Sequence, residues 1–584
     1  MKRHSKILSL GLFLLAGVGS LLNASELVVL PIDRAKFLAG AKFDLLVECR
    51  ECDSKVDVKI GGQDAQQFFK KPARLYEEGG VSYYRIDSVS FDKTGPLKLE
   101  AKAGKESKTI SYEVVAPKLG KNQKMAKNVI LFIGDGMSLQ AKQMARILSK
   151  GIDEGKYKGL LEMEKLDRLA LVTTSGYDSL TTDSANSASA YATGHKSVVN
   201  AMGVYADSTA DPLDDPKVEN LAELLRRTKG MSLGLVTTSN ITDATPAAMF
   251  AHTRRRAEQA HIAMDMLRVK PEVILGGGLI HFWPKEQKGS KRSDSKDLLK
   301  LYKDAGYALS FDREDLGALM KKSPKYLLGL YHPDHMDVYL DREVLKASDV
   351  LGEYPKQPNL MDMTKAALEI LSKNQKGFFL MVEGASIDKQ LHKMDWQRAT
   401  YDTIEMDKAV GIAREFADKN GETLIIVVAD HAHSASITGT YHENDGKKGR
   451  EAVRTYESSI FPTFEDADGD GFPDNPDPDI TLAIQYANHP DHKANYRLKS
   501  KPSHPTIKDA DGRNIANPSL EGEDYKGNIP YKEDQEVHAA DDVVLMAHGA
   551  GSDYFRGVMD NTEVFFGIVR ALGVDGRLGD SKRR

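Results

Sequence analysis

Cysteine is nearly missing from this chain: there are two among 584 residues, Cys49 and Cys52. No second pair exists, so a four-cysteine zinc site and a disulfide framework are excluded, and no thioredoxin-like helix pattern follows the Cys-x-x-Cys spacing. One local disulfide is the expectation, with no catalytic role. A charge of one sign is missing too. The 80 basic and 85 acidic residues leave a formal charge of −5, which points to no nucleic-acid or membrane-surface partner. The acidic excess does not recruit anions, so any anion site must be built locally. Long apolar runs are confined to the N-terminus. There Lys2, Arg3 and Lys6 precede an apolar stretch from Ile7 to Leu22, then Leu22-Asn23-Ala24 before Ser25. That is the pattern of a cleaved secretory signal over residues 1–24. The alternative is an uncleaved anchor, for which the run is short against the ~20 residues of a span. The mature chain is expected to be free of membrane spans and exported, periplasmic or secreted. No internal repeat is present.

The length suits a large core plus an accessory module. Residues 25–117 carry short strand-like runs (Leu27 to Leu30, Phe43 to Val47, Val56 to Ile60, Leu97 to Ala101, Thr109 to Val114) between Gly, Asp, Lys and Pro turns. That spacing predicts an immunoglobulin-like β-sandwich. Residues 118–127 read as a polar, basic linker. From 128 to 577 strands alternate with helical patterns, which predicts a doubly wound α/β domain with a mostly parallel sheet and helices on both faces. Residues 434–536 read as a long surface insertion that returns to the sheet near Val543 to Met546, and 578–584 as a polar tail.

Three apolar runs end in metal-ligand types. Asn128 to Ile133 leads to Asp135; Phe378 to Val382 leads to Glu383, Asp388 and His392; Leu424 to Val428 leads to Asp430, His431 and His433. Unbroken apolar runs fit strands buried on both faces, and open α/β sheets hold their sites at the carboxyl ends of strands. Carboxylates and imidazoles converging there suggest more than one metal ion. A separate small-residue stretch, Thr181 to Gly194, can be capped by Asp183 or Thr182 and ended by Gly194. Ser184 then lies in the first turn, where the dipole and free N–H groups favour an anion. A plain, tightly packed helix explains the same residues, and both readings stay open.

Taken in order, residues 128–137 (Asn-Val-Ile-Leu-Phe-Ile-Gly-Asp-Gly-Met), 182–185 (Thr-Asp-Ser-Ala), 243–248 (Asp-Ala-Thr-Pro-Ala-Ala), 382–390 (Val-Glu-Gly-Ala-Ser-Ile-Asp-Lys-Gln) and 429–433 (Ala-Asp-His-Ala-His) resemble the alkaline phosphatases that use two zinc ions and one magnesium ion. The resemblance covers about 126–575. It implies Ser184 as nucleophile, with Asp135, Asp430 and His431 around the second zinc, Asp388, His392 and His538 around the first, and Asp135, Thr245 and Glu383 around magnesium. It implies Arg256 as the phosphate clamp, Asp183 positioning the guanidinium, Asp243 and Lys389 holding water near phosphate and magnesium, and His433 supporting the zinc site. It also implies phosphate monoester substrates, a phosphoserine intermediate and a homodimer. Zinc accepts His nitrogen and carboxylate oxygen, magnesium prefers oxygen alone, and two metal ions can stabilise attacking and leaving oxygens.

Arg254 and Arg255 compete with Arg256 for the clamp, and His548 competes with His538. His252 reads as a packed helix residue. His332, His335, His489, His492 and His504 read as solvated loop histidines. The run Asp466, Asp468, Asp470, Gly471, Asp474 has the oxygen spacing of a calcium loop but lacks EF-hand helices and the distal Glu. With Asp477 it resembles a thrombospondin type-3-like loop; a solvated acidic turn is the alternative. Sulfatases need a Cys/Ser-x-Pro-x-Arg run that the residues after Ser184 do not supply. Nucleotide phosphodiesterases usually carry a Thr nucleophile and lack this magnesium triad and clamp. A non-catalytic phosphate-binding or adhesion protein would not be expected to keep nucleophile and ligands together.

Overall fold

The apolar runs pair into one ten-stranded sheet. Its strands are β1 (Asn128–Gly134), β2 (Arg168–Thr173), β3 (Ser232–Asn240), β4 (Val273–Gly277), β5 (Ala308–Ser310), β6 (Leu327–Leu330), β7 (Phe378–Gly384), β8 (Thr423–Ala429), β9 (Val543–Gly549) and β10 (Gly557–Asp560). Their spatial order is β5-β6-β4-β3-β7-β1-β8-β9-β2-β10. Every pairing is parallel except those of β9, which runs against both β8 and β2. The computed structural model describes residues 26–52, 55–117, 124–456, 460–462, 465–474, 479–499 and 501–578. The expected signal sequence, most of the expected linker, Asp477 and nearly all of the polar tail lie outside them.

Every residue of β1, β3, β7 and β8 is buried. These strands have layers on both faces and no reason to alternate. β2, near the sheet edge, does alternate. Four helices bear on the site: α1 (Ser184–Thr193), α2 (Ala244–Ala248), α3 (Ser386–His392) and α4 (Trp396–Asn420). α4 packs across β7, β1 and β8.

Residues 26–117 form two small sheets. One joins Glu26–Leu30, Phe43–Arg50, Val81–Val89 and Arg74–Glu78; the other joins Lys36–Leu38, Glu106–Val115, Gly95–Ala103, Asp57–Ile60 and Gln63–Asp64. Leu45 and Val47 from the first share a core with Val58, Leu99 and Ile110 from the second. Arg74–Glu78 escapes the sequence reading because it is polar and mostly exposed. Cys49 and Cys52 are disulfide-bonded. In the insertion, Ala435–Tyr441, Val453–Arg454 and Thr481–Tyr486 make a three-stranded sheet too short to show a period.

The small module is docked on the segment 205–219 of the large one. Asp44 accepts from Arg85 Nη2 at 3.0 Å, Ser88 N at 2.7 Å and Lys217 N at 3.0 Å. Glu48 accepts from Ser208 N at 2.7 Å. Asp44 is buried, so removing its carboxylate leaves the Lys217 amide without its acceptor and takes one of three partners from Arg85, which keeps Asp87 and the Asp214 carbonyl. We expect Asp44→Ala to lower the stability by about 1–3 kcal/mol, the cost of a buried donor left unpaired, read as a shift in the denaturant midpoint; a shift below ~0.5 kcal/mol would show the contact to be incidental.

Candidate metal and phosphate site

Register assembles the site. Ile133 pairs with Glu383, Gly134 with both Gly384 and Ala429, and Thr237 with Glu383. Asp135 and Asp430 therefore leave two adjacent strand ends side by side, with Glu383 on the strand at the other side of β1. The turn after β1 needs Gly136: it has φ +62°, and a Cβ there would lie 2.5 Å from His433 Cδ2. Its amide donates to Asp430 Oδ1 at 3.0 Å. The end of β3 turns into α2, which brings Asp243 and Thr245. α3 follows β7 at once and sets Asp388 and His392 on one face, a helical turn apart.

Asp388 is the hub of a histidine cluster. Its Oδ1 lies 2.5 Å from His433 Nε2, 3.4 Å from His392 Nε2, 3.4 Å from His538 Nε2 and 3.9 Å from His431 Nε2. His392 Nδ1 donates to the Glu536 carbonyl at 2.5 Å, and His538 Nδ1 to the Thr182 carbonyl at 2.7 Å. Those bonds fix both tautomers and leave two Nε2 lone pairs facing each other at 3.1 Å. Burial lowers His392 to about 4 and holds His538 below the ordinary histidine value, so both are neutral at pH 7, the form in which an imidazole can bind a metal. Facing lone pairs repel unless a cation sits between them and Asp388; these residues fit a metal ion.

A second group lies beside Ser184. Its Oγ is 3.2 Å from Asp135 Oδ1 and 3.2 Å from His431 Nε2, and that nitrogen is 3.2 Å from Asp135 and 3.7 Å from Asp430 Oδ2. Asp135, Asp430 and His431 each offer an atom within 4.8 Å of the others. The buried Asp430 Oδ2 has no hydrogen-bond partner, and neither does the buried Thr245 Oγ1. Glu383 accepts from the hydroxyls of Thr237 and, at 3.1 Å, Ser239. Burial first, then the Asp135 charge, pushes Glu383 up to about 8 and Asp430 well above the ordinary carboxylate value. Orphaned oxygens and crowded buried carboxylates are costly alone and are met by cations, so this donor set also fits metal ions.

Ser184 is the first residue of α1. Asp183 caps it, accepting from Asn186 N at 3.1 Å in a capping box. Arg256 is held from two sides, donating Nη1 to Asp183 Oδ2 at 3.3 Å and Nη2 to Asp243 Oδ1 at 3.0 Å. Lys389 donates to the other Asp243 oxygen at 3.1 Å. Burial opposes the Asp243 charge, but Lys389 and then Arg256 outweigh it and hold the carboxyl well below the usual range. The result is a cationic pair buttressed by carboxylates beside the serine.

Two of the rivals, Arg254 and His548, are engaged elsewhere. Arg254 donates to the carbonyls of Asp207, Thr209 and Asp211 and pairs with Asp215. His548 bridges Asp167 and Asp418, each at 2.8 Å. His252 is packed against Glu223 and the Gly203 carbonyl, but past the end of α2 rather than in a helix. Three histidines read as solvated are not. His489 and His492 are buried with their Nδ1 atoms 3.0 Å apart. His335 is only partly exposed, 3.9 Å from Asp243 Oδ2, with Asn240 N donating to its Nδ1 at 3.2 Å. It lies in the loop after β6, which sheet order, not sequence spacing, brings to the site. Asp466, Asp468 and Asp474 each offer an oxygen within 4.8 Å of the others, while Asp470 instead accepts from Phe472 N at 2.7 Å. Glu536, unremarked in the sequence, is fully buried among the histidines. Its Glu-x-His spacing to His538 was the available signal.

The family model for alkaline phosphatase matches residues 126–574. The tissue-nonspecific alkaline phosphatase of Gallus gallus is 30% identical over 471 residues, covering 75% of this chain and 82% of that one. Alkaline phosphatase H of Pseudomonas aeruginosa (strain UCBPP-PA14) is 35% identical over 350 residues, covering 54% and 71%. Among solved structures, the alkaline phosphatase of Thermus thermophilus superposes with a TM-score of 0.55 at 24% identity, covering 79% of this chain and 93% of that one. That of the Antarctic bacterium TAB5 gives 0.53 at 24%, covering 77% and 99%; both speak to the fold.

Proposed function

This chain belongs to the alkaline phosphatase family, and from that premise we propose that it hydrolyses phosphate monoesters to inorganic phosphate and an alcohol through a phosphoserine at Ser184. The observation that carries the proposal is a serine hydroxyl 3.2 Å from both Asp135 and His431, with His431 common to two carboxylate–imidazole groups and the helix cap next to the serine, Asp183, accepting from Arg256. The reading gives Asp388, His392 and His538 to one zinc, Asp135, Asp430 and His431 to a second, and Asp135, Thr245 and Glu383 to magnesium. When bound, these ions supply Lewis acidity to the attacking and leaving oxygens. The chain's own groups do the rest. The α1 N-terminus and Arg256 receive the phosphoryl oxygens. Asp183, next in sequence to Ser184 at the start of α1, and Asp243 hold the guanidinium from two sides. Lys389, tied to Asp243, adds positive charge beside the phosphoryl oxygens and orients water. His433 holds Asp388 in place. An arginine fork needs two unesterified oxygens, which favours monoesters over diesters.

The test is steady-state hydrolysis of a chromogenic phosphate monoester, the matching diester and the matching sulfate by the zinc- and magnesium-supplemented protein at alkaline pH. Monoester turnover at least ~100-fold above the other two is expected, the discrimination a lost oxyanion contact gives. Equal or better diester turnover would make it a phosphodiesterase of the same superfamily, and phosphate binding without turnover a non-catalytic protein. Arg256→Ala is expected to cost about 2.7–4 kcal/mol of transition-state stabilisation, as for other preorganised donors. Arg256→Lys should recover little, since an ammonium has no planar fork. Unchanged kcat/KM in Arg256→Ala would return the clamp to Arg255.

Export to the periplasm or medium is part of the proposal and rests on the Lys2 to Ala24 pattern; no helix among the described residues is long and apolar enough to cross a membrane. So is a homodimer, which fits the exposed Leu169, Leu171 and Val558 on the outer face of β2 and β10; a single monomeric species in sedimentation would remove it. The Asp466 loop is proposed to hold a structural calcium ion apart from the chemistry, and a calcium titration without a change in melting temperature would remove that too.

A further inference from the structure

We infer that Glu536 is a positioning residue that ties the neck of the 434–536 insertion to the histidines of one metal site, an inference resting on the proposed function of that site. Its carboxylate has no exposure at all. One oxygen accepts from His433 Nδ1. The other accepts from Ser434 N at 3.0 Å and Ser434 Oγ at 2.5 Å. His433 passes the restraint on through Nε2 to Asp388. The backbone of the same residue is used as well: the Glu536 amide donates to the His392 carbonyl at 2.9 Å, and the Glu536 carbonyl accepts from His392 Nδ1. Two residues on, His538 pairs with His433 in a short antiparallel ladder. Asp388, His392 and His538 are thus each one or two bonds from this residue.

Ser434 and Glu536 are also the first and last residues of the insertion. Their contact closes it, and Ser434 Oγ further accepts from Asn488 N at 3.0 Å, while Val537 N donates to the Asn488 carbonyl at 3.2 Å. A buried carboxylate with three polar partners on two sides has one stable place. It orients His433 and, through its own main chain, fixes the tautomer of His392. A bond of this kind on a ligand's far nitrogen raises ligand basicity and removes rotational freedom. The insertion is therefore not merely attached near the site; its closure sets the geometry of the ligands.

Zinc stoichiometry and affinity, measured by competition with a chromophoric chelator on the full chain, test this with Glu536→Ala, Glu536→Gln and Ser434→Ala. Glu536→Ala is expected to weaken one zinc by about 10–100-fold and to leave the other near the parent value, with kcat falling and KM little changed. Glu536→Gln keeps the shape and one acceptor and should lie between, a partial rescue. Ser434→Ala loosens the neck without touching a histidine and should weaken the same zinc by a smaller factor. Parent-like zinc affinity in Glu536→Gln and Ser434→Ala overturns the inference, whatever happens to Glu536→Ala. So does a lower melting temperature with unchanged affinity, which would make Glu536 structural only. The zinc readout does not depend on turnover. Should the parent hydrolyse no monoester while Glu536→Ala still loses a zinc, the proposed function falls and the positioning role stands.

Discussion

Ser184→Ala is expected to lower kcat for a phosphate monoester by roughly 10^4- to 10^6-fold, the scale on which loss of a nucleophile is felt. The variant removes a single oxygen. Asp135 and His431, each 3.2 Å from that oxygen, remain, as do Asp183 capping α1 and Arg256 behind it. Alanine is the best helix former, and every residue of α1 is buried, so one missing hydroxyl leaves a void smaller than a methyl group. Zinc content and melting temperature should therefore match the parent while turnover is lost. That pairing distinguishes a missing nucleophile from a damaged site. Trapping with radiolabelled substrate at acid pH should label the parent and not the variant. Activity within about tenfold of the parent would show that water attacks directly, and Ser184 would be reassigned to binding.

How much of this could be read from the sequence depends on which residues are local. Asp388 and His392, or Asp430, His431 and His433, lie within a few positions and announce themselves by spacing. Asp135 and Asp430 are legible as neighbours only because both follow unbroken apolar runs, and parallel register does the rest. Glu536 and His335 were missed for the opposite reason. Each lies in an irregular segment with no period, and each reaches the site because a loop after a distant strand folds back. The edge strand Arg74–Glu78 was missed because it is polar on both faces. The docking of the small module combines an apolar cluster of Leu30, Leu46 and Tyr83 with Tyr205 and Val218 and the polar contacts of Asp44, Glu48 and Arg85, charged residues inside strands that a periodicity argument counts as surface. Long-range polar pairing is what a single sequence conceals.

Stripping the metal ions should abolish turnover and lower the melting temperature, and the second effect should grow with pH. Glu383 is pushed up from its ordinary 4.5 to about 8 by burial and the Asp135 charge, and Asp430 is raised in the same direction. A group whose folded pKa is raised binds more protons folded than unfolded. The stripped protein therefore loses stability as pH climbs from about 4.5 through 8. Cations that use these carboxylates displace the protons, so their apparent affinity rises across the same window, and a bound ion at a thousand times its Kd adds about 4 kcal/mol. The gap in melting temperature between the loaded and stripped protein should accordingly widen from pH 6 to pH 8. Thermal unfolding at both pH values, with zinc and magnesium or with a chelator, measures it. A gap that stays constant would mean that the buried carboxylates are already ionised without metal and that their crowding is relieved from within the protein. Arg256 and Lys389 would then be the cations responsible, and Arg256→Ala should destabilise the stripped form more than the loaded one.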